Sequence, residues 1–281
     1  MSIRTDLAIE HDCTVDEKTK GIKQTEEQSG GIKTTVTQVL DSDGERLIGR
    51  PRGTYVTVEF PDIESLADTG ELEAALAEAL GKFKKPVGTV LAVGLGNTDI
   101  TPDAVGPLTA DGILATRHIA GKFAESVGLY GLKSVAVATP GVLGKTGIEA
   151  AELVKSAADA VKPETVFVID ALAAKSPERL FKTVQLCDTG IRPGSGVKNS
   201  RSELSEKTVG VPVIALGVPT VTDAESLAFS LTGKEPETES GMFVTPKEVD
   251  LLTEKMSKIL SSVLNRYFQP DIDPDIIDSL V

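Results

Sequence analysis

Tryptophan is absent from the 281 residues, and aromatic side chains together make up only 4% of them. A core of this size cannot rest on large rings, so it must be aliphatic, built from Val, Ile, Leu and Ala. Histidine is nearly missing too: His11 and His118 are the only two. That leaves few candidates for imidazole-dependent catalysis, and neither a G-x-S-x-G elbow nor an H-E-x-x-H helix occurs. The two cysteines, Cys13 and Cys187, lie far apart, which excludes a disulfide framework and suits a reducing compartment. No apolar run is long enough to span a bilayer. The opening Met1-Ser2-Ile3-Arg4-Thr5-Asp6-Leu7 lacks the apolar stretch of a signal peptide. The expectation is a cytoplasmic protein with no membrane partner.

What is present is an ordinary globular balance, 40% hydrophobic and 25% charged, with a net charge of −13. A surface this acidic repels phosphate backbones and argues against direct nucleic-acid binding. It keeps the chain soluble and does not prevent it from acting on a basic, DNA-binding protein.

Residues 1–30 are polar and read as an extended or mobile leader. Ile32–Leu40 and Thr54–Phe60 read as strands of an antiparallel hairpin, with a Gly-containing turn at Asp41-Ser42-Asp43-Gly44. From residue 63 onward helices and strands alternate. Helical spacing covers 63–84, 107–123, 147–161, 224–231 and 246–266; short apolar runs cover 88–93, 134–138, 165–169, 183–187 and 212–216. Residues 232–245 read as a surface loop. The pattern predicts an α/β fold of three layers, αβα, around a mostly parallel sheet, with the N-terminal hairpin added.

In such folds ligands sit at the carboxyl ends of the strands. Gly94, Gly96 and Asn97 open a strand-to-helix loop that ends in Asp103. The third glycine of a dinucleotide fingerprint is missing, because Asp99 stands in its place. Asp103 fits either a helix N-cap or a site carboxylate. Asp170 closes an apolar strand, Val166-Phe167-Val168-Ile169, and is either a turn-former or a catalytic group. Gly144-Lys145-Thr146 lacks the first glycine of a P-loop, and Glu149 suits either a first helical turn or a cleft. Gly194-Ser195-Gly196 reads as a cleft wall, and Cys187 as a buried hydrophobe. Asp188-Thr189-Gly190 matches the pepsin-type triplet, but in an α/β setting that match is fortuitous.

Several of these segments, in this order, resemble the germination proteases of spore-forming bacteria. They are Arg4-Thr5-Asp6-Leu7-Ala8-Ile9-Glu10, Gly94-Leu95-Gly96-Asn97, Thr101-Pro102-Asp103-Ala104, Thr146-Gly147-Ile148-Glu149, Ile169-Asp170-Ala171-Leu172, Gly194-Ser195-Gly196-Val197 and Val244-Thr245-Pro246-Lys247-Glu248. The resemblance covers nearly the whole chain. It implies a fold similar to hydrogenase-maturation endopeptidases, and an endopeptidase of the spore core that begins the breakdown of small acid-soluble spore proteins. It also implies a homotetramer made as a self-processing zymogen. The matching cut falls after Glu10, so that 1–10 is a propeptide, His11 the new N-terminus and 11–281 one protease domain, β-rich over 11–62 and α/β over 63–281. Asp103 and Asp170 match the proposed catalytic pair. No cofactor is implied, and with no histidine after His118 a metal site would lack an imidazole ligand. The stretch from Leu231 to Met242 is shorter than in many relatives. Two other readings compete: a metal-dependent maturation endopeptidase, and a non-catalytic α/β binding module.

Overall fold

Side chains along the central strands alternate between two hydrophobic clusters, one on each face of the sheet, and a third, smaller cluster gathers Ala8, Ile22, Val39 and Tyr55. The computed structural model describes residues 5–11, 19–63, 69–126, 129–194, 202–234, 238 and 240–280. Within these the strands are β1 (Ile22–Ser29), β2 (Ile32–Val39), β3 (Gly53–Glu59), β4 (Val90–Gly94), β5 (Val135–Ala138), β6 (Thr165–Ala173), β7 (Thr183–Cys187), β8 (Val213–Asp223) and β9 (Phe243–Val244). The helices are α1 (Ser42–Ile48), α2 (Gly70–Gly81), α3 (Val105–Asp111), α4 (Lys122–Ser126), α5 (Leu143–Thr146), α6 (Ala150–Val161), α7 (Glu206–Val209), α8 (Ala224–Thr232), α9 (Val249–Phe268) and α10 (Pro274–Asp278). None of them is long and apolar enough to cross a membrane.

The sheet order is β1-β2-β3-β7-β8-β6-β4-β5, with β9 added to β8. The strands β5, β4, β6 and β8 run parallel; β8 then passes through antiparallel pairs to β7, β3, β2 and β1. The expected α/β class therefore holds, and the N-terminal hairpin is the antiparallel half of the same sheet. Val90, Ala92, Phe167 and Ile169 join the core under α2 and α9, whereas Leu91, Val93, Val166 and Val168 face α6. That alternation is the period-two geometry of a strand covered on both faces. Three of the eleven aromatics, Phe167, Tyr267 and Phe268, meet at one seam, where Phe167 and Phe268 pack edge-to-face with centroids 4.9 Å apart. Such a pair contributes about 1 kcal/mol beyond its buried area.

Several local expectations are corrected. Residues 22–29, expected within an extended or mobile leader, form β1, an edge strand whose polar side chains face solvent while its backbone pairs with β2. The expected turn at Asp41–Gly44 is a helix start: the Asp41 carboxylate accepts from the Asp43 and Gly44 N–H groups and caps α1. The predicted helix 107–123 begins at Val105 and stops at Asp111. There the Asn265 side chain, from α9, donates to the Gly112 carbonyl and accepts from the Leu114 N–H. A Cβ on Gly112 would stand 2.7 Å from the Ser261 hydroxyl, so this bend is set by how closely α9 approaches. β6 and β8 run past their expected ends, to Ala173 and Asp223. The loop expected over 232–245 carries β9, and the first turns of the helix expected from residue 63 fall on 64–68, outside the described residues.

Candidate active site

β4 ends at Gly94, which pairs with Ile169, while β6 continues for four more residues. Asp170 is the first residue of β6 beyond its pairing with β4, so it lies inside the strand, not at its end as expected. It is 5% exposed, and its carboxylate accepts from the Ala171 N–H at 2.9 Å.

Asp103 reaches the same place from the loop after β4. The chain folds back so that the Asn97 N–H donates to the Asp103 carbonyl at 2.9 Å and the Asp103 N–H donates to the Ile100 carbonyl at 2.7 Å. Gly96 permits this with φ +124°; a Cβ there would stand 2.0 Å from the Asp103 carbonyl oxygen. Gly106 presses the first turn of α3 onto the strand ends, since a Cβ would meet the Leu95 oxygen at 2.1 Å and the Ile169 oxygen at 2.5 Å. Asp103 and Asp170 consequently line one cleft of about 380 Å³, together with Gly96, Pro102, Leu172 and Gly194.

Asp6, from the leader, lines this cleft as well. The Asp6 N–H donates to the Ala173 carbonyl at 2.9 Å, and the Ala173 N–H donates back to the Asp6 carboxylate at 2.9 Å. Gln185 brackets the next residue: its Nε2 donates to the Asp6 carbonyl at 3.0 Å and its Oε1 accepts from the Ala8 N–H. Arg50 donates to the Thr5 carbonyl. Leu7 and Ala8 are each 1% exposed and join the core. A second cavity of about 320 Å³ shares Asp6 and Leu172 with the first and is bordered by Arg50, Tyr55, Gln185 and Cys187. Burial pushes both the Tyr55 phenol and the Cys187 thiol well above their usual ranges. Cys187 is thereby a protonated, inert thiol at neutral pH.

Of the residues singled out in the sequence, Asp103, Asp170, Gly96 and Gly194 meet at the cleft. Gly94 packs behind it, where a Cβ would stand 2.3 Å from the Gly106 oxygen. Asn97 braces the loop through its backbone and accepts from the Asp99 N–H. Glu149 precedes α6 and does not border the cleft. Ser195 and Cys13 lie outside the described residues. Glu10 and His11, expected at the processing bond, are not at the cleft: the Glu10 carboxylate is held by the Lys175 and Ser176 N–H groups and by Arg179. The leader residue in the lining of this cleft is Asp6, four residues earlier. Gln185 was also missed; a lone amide inside the apolar strand Thr183–Cys187 was the signal that could have found it.

Two carboxylates bordering one cleft, with the leader residue Asp6 also in its lining, suit hydrolysis by paired acid and base groups. Among the described residues no cluster of three or more His, Cys, Asp or Glu side chains is placed to hold a metal ion.

Comparison with known proteins shows the family to which the chain belongs. The germination protease family matches residues 4–232. A germination protease of Clostridium tetani is 38% identical over 99% of this chain and 99% of its own length. One from Caldanaerobacter subterraneus is 37% identical over 100% of this chain and 98% of its own. Among solved structures, a NiFe hydrogenase maturation protease from Thermococcus kodakarensis overlaps 69% of this chain and 98% of its own at a TM-score of 0.41 and 16% identity.

Proposed function

The chain belongs to the germination protease family and is an endopeptidase of spore germination, and we propose that Asp103 and Asp170 are its catalytic pair. The observation that carries this is their shared cleft, with the leader residue Asp6 at its edge. In this scheme the pair works with one proton shared between them, the arrangement that closely placed carboxylates favour. The ionised member takes a proton from water, and the resulting hydroxide attacks the scissile carbonyl carbon. The protonated member gives its proton to the leaving amine as the C–N bond breaks, yielding a carboxylic acid and an amine. No cofactor enters this scheme.

The leader is then the chain's own first substrate, and the protein a zymogen that processes itself. The seating of Asp6 at the cleft supports a cut at the peptide bond beside Asp6 in place of the Glu10–His11 bond. Until the cut, the leader excludes other peptides by occupying their place. The subsequent substrates in this reading are small acid-soluble proteins of the spore core, and the working form is a homotetramer. Incubating the processed enzyme with a purified small acid-soluble spore protein, followed by mass analysis of the fragments, tests the substrate. Cuts beside acidic residues are expected, and an intact protein contradicts the reading. Sedimentation of the enzyme tests the tetramer, which a monomeric mass contradicts.

A further inference from the structure

Glu10 carries a negative charge on a side chain only 5% exposed. Its Oε2 accepts from the Lys175 N–H at 2.7 Å and its Oε1 from the Ser176 N–H at 2.8 Å. Arg179 stands against it, with Nε 3.4 Å from Oε1, and is itself fixed by Glu59 at 2.5 Å on Nη1. The Thr5 hydroxyl also donates to Oε2. These donors suit two acceptor oxygens. A glutamine side chain offers only one, and its NH2 group would face an N–H. The cradle thus discriminates a carboxylate from its amide, and the charge-assisted bonds are the strong kind.

Most other leader contacts do not discriminate between side chains. Arg50 meets the Thr5 carbonyl, Gln185 meets the Asp6 carbonyl and the Ala8 N–H, and the Ala173 carbonyl meets the Asp6 N–H. Any peptide backbone can make them. Apart from Ala173 on the Asp6 carboxylate, the Glu10 cradle is where the seat reads a charged side chain. Gln185, bracketing residue 7, fixes the distance between the two reading points.

We propose that the Lys175 and Ser176 amides with Arg179 form a specificity subsite for peptide substrates. It reads an acidic side chain four residues C-terminal to the residue seated at the aspartate cleft. The assignment rests on the leader being a stand-in for substrate. A cut beside Asp6 removes the contacts of Thr5 and Asp6 with Arg50, Ala173 and Gln185. Residues 7–10 then keep the Ala8 bond, the cradle and the burial of Leu7 and Ala8, and an incoming peptide displaces them.

The test uses processed enzyme and two peptides, one containing Thr-Asp-Leu-Ala-Ile-Glu and one ending that segment in Gln. The wild type is expected to cut the Glu peptide with about tenfold higher kcat/KM, carried by KM, the scale of a charge-assisted contact. Arg179→Ala is expected to bring the ratio of kcat/KM for the Glu and Gln peptides close to one, and Arg179→Lys to restore part of the preference. Should Arg179→Ala not fold, Arg179→Gln takes its place. Equal cutting of both peptides by the wild type, or a preference undiminished in the Arg179 variants, overturns the subsite and leaves the endopeptidase intact. If neither peptide is cut, the leader is not a stand-in for substrate, and the subsite falls with that reading.

Discussion

Asp6 and Ala173 are joined twice, backbone N–H to carbonyl and backbone N–H to carboxylate, each at 2.9 Å. This pairing sits on the stretch of β6 that outlasts β4, three residues beyond Asp170. The strand that supplies one proposed catalytic carboxylate thus also holds the leader.

Removing the second holder should slow processing without unfolding the protein. Gln185→Ala deletes both bonds that bracket residue 7. A time course of intact mass should show leader release slowed by about tenfold to a hundredfold, the scale of lost positioning contacts. A melting temperature within a few degrees of wild type should accompany it. Unchanged release would mean that Gln185 does not position the peptide.

The loop that presents Asp103 depends on Gly96. An alanine there combines φ +124° with a Cβ 2.0 Å from the Asp103 carbonyl oxygen. Gly96→Ala should lose about 2–4 kcal/mol of stability. It should also lose activity at temperatures where circular dichroism still shows a folded protein, because the displaced atom belongs to Asp103 itself. A stable and fully active variant would mean that the loop relaxes away from this geometry.

Alkaline pH should weaken the fold. Burial raises the Cys187 thiol and the Tyr55 phenol, so the folded state keeps protons that the unfolded state releases. Their contribution to stability is complete below the unfolded-state pKa values and declines as pH rises above about 8.5. Melting temperatures between pH 8 and 10.5 should fall, and fall less in Tyr55→Phe. In the same terms, Cys187 should resist alkylation at pH 8 until denaturant is added. A flat pH profile, or rapid labelling of the folded protein, would contradict the burial.

Much of this architecture was legible in the sequence, because the signals were local. The run Thr183–Cys187 was read with its observed limits, and α9 stood out by its helical apolar spacing. Asp103 and Asp170 were visible as carboxylates following apolar strands. β1 was hidden because it is an edge strand stabilised through its backbone, with no apolar alternation along its exposed residues. The early end of α3 was hidden because its cause, Asn265, lies about 150 positions away. The leader's seat was hidden because it is made largely of backbone atoms at Ala173, Lys175 and Ser176, which leave no side-chain signature. For the same reason nothing in the pattern marks the Glu10 carboxylate as an anchor held by the Lys175 and Ser176 N–H groups and by Arg179.

The most direct test is intact mass after mild acid incubation, with and without chelator, for wild type, Asp103→Asn and Asp170→Asn. The wild type should shed a leader ending beside Asp6 whether or not chelator is present. Each variant should keep it, with release slowed by about a thousandfold or more, as expected for loss of an acid or base group. Release of the leader by either folded variant at the wild-type rate would contradict the assignment of that aspartate to the chemistry.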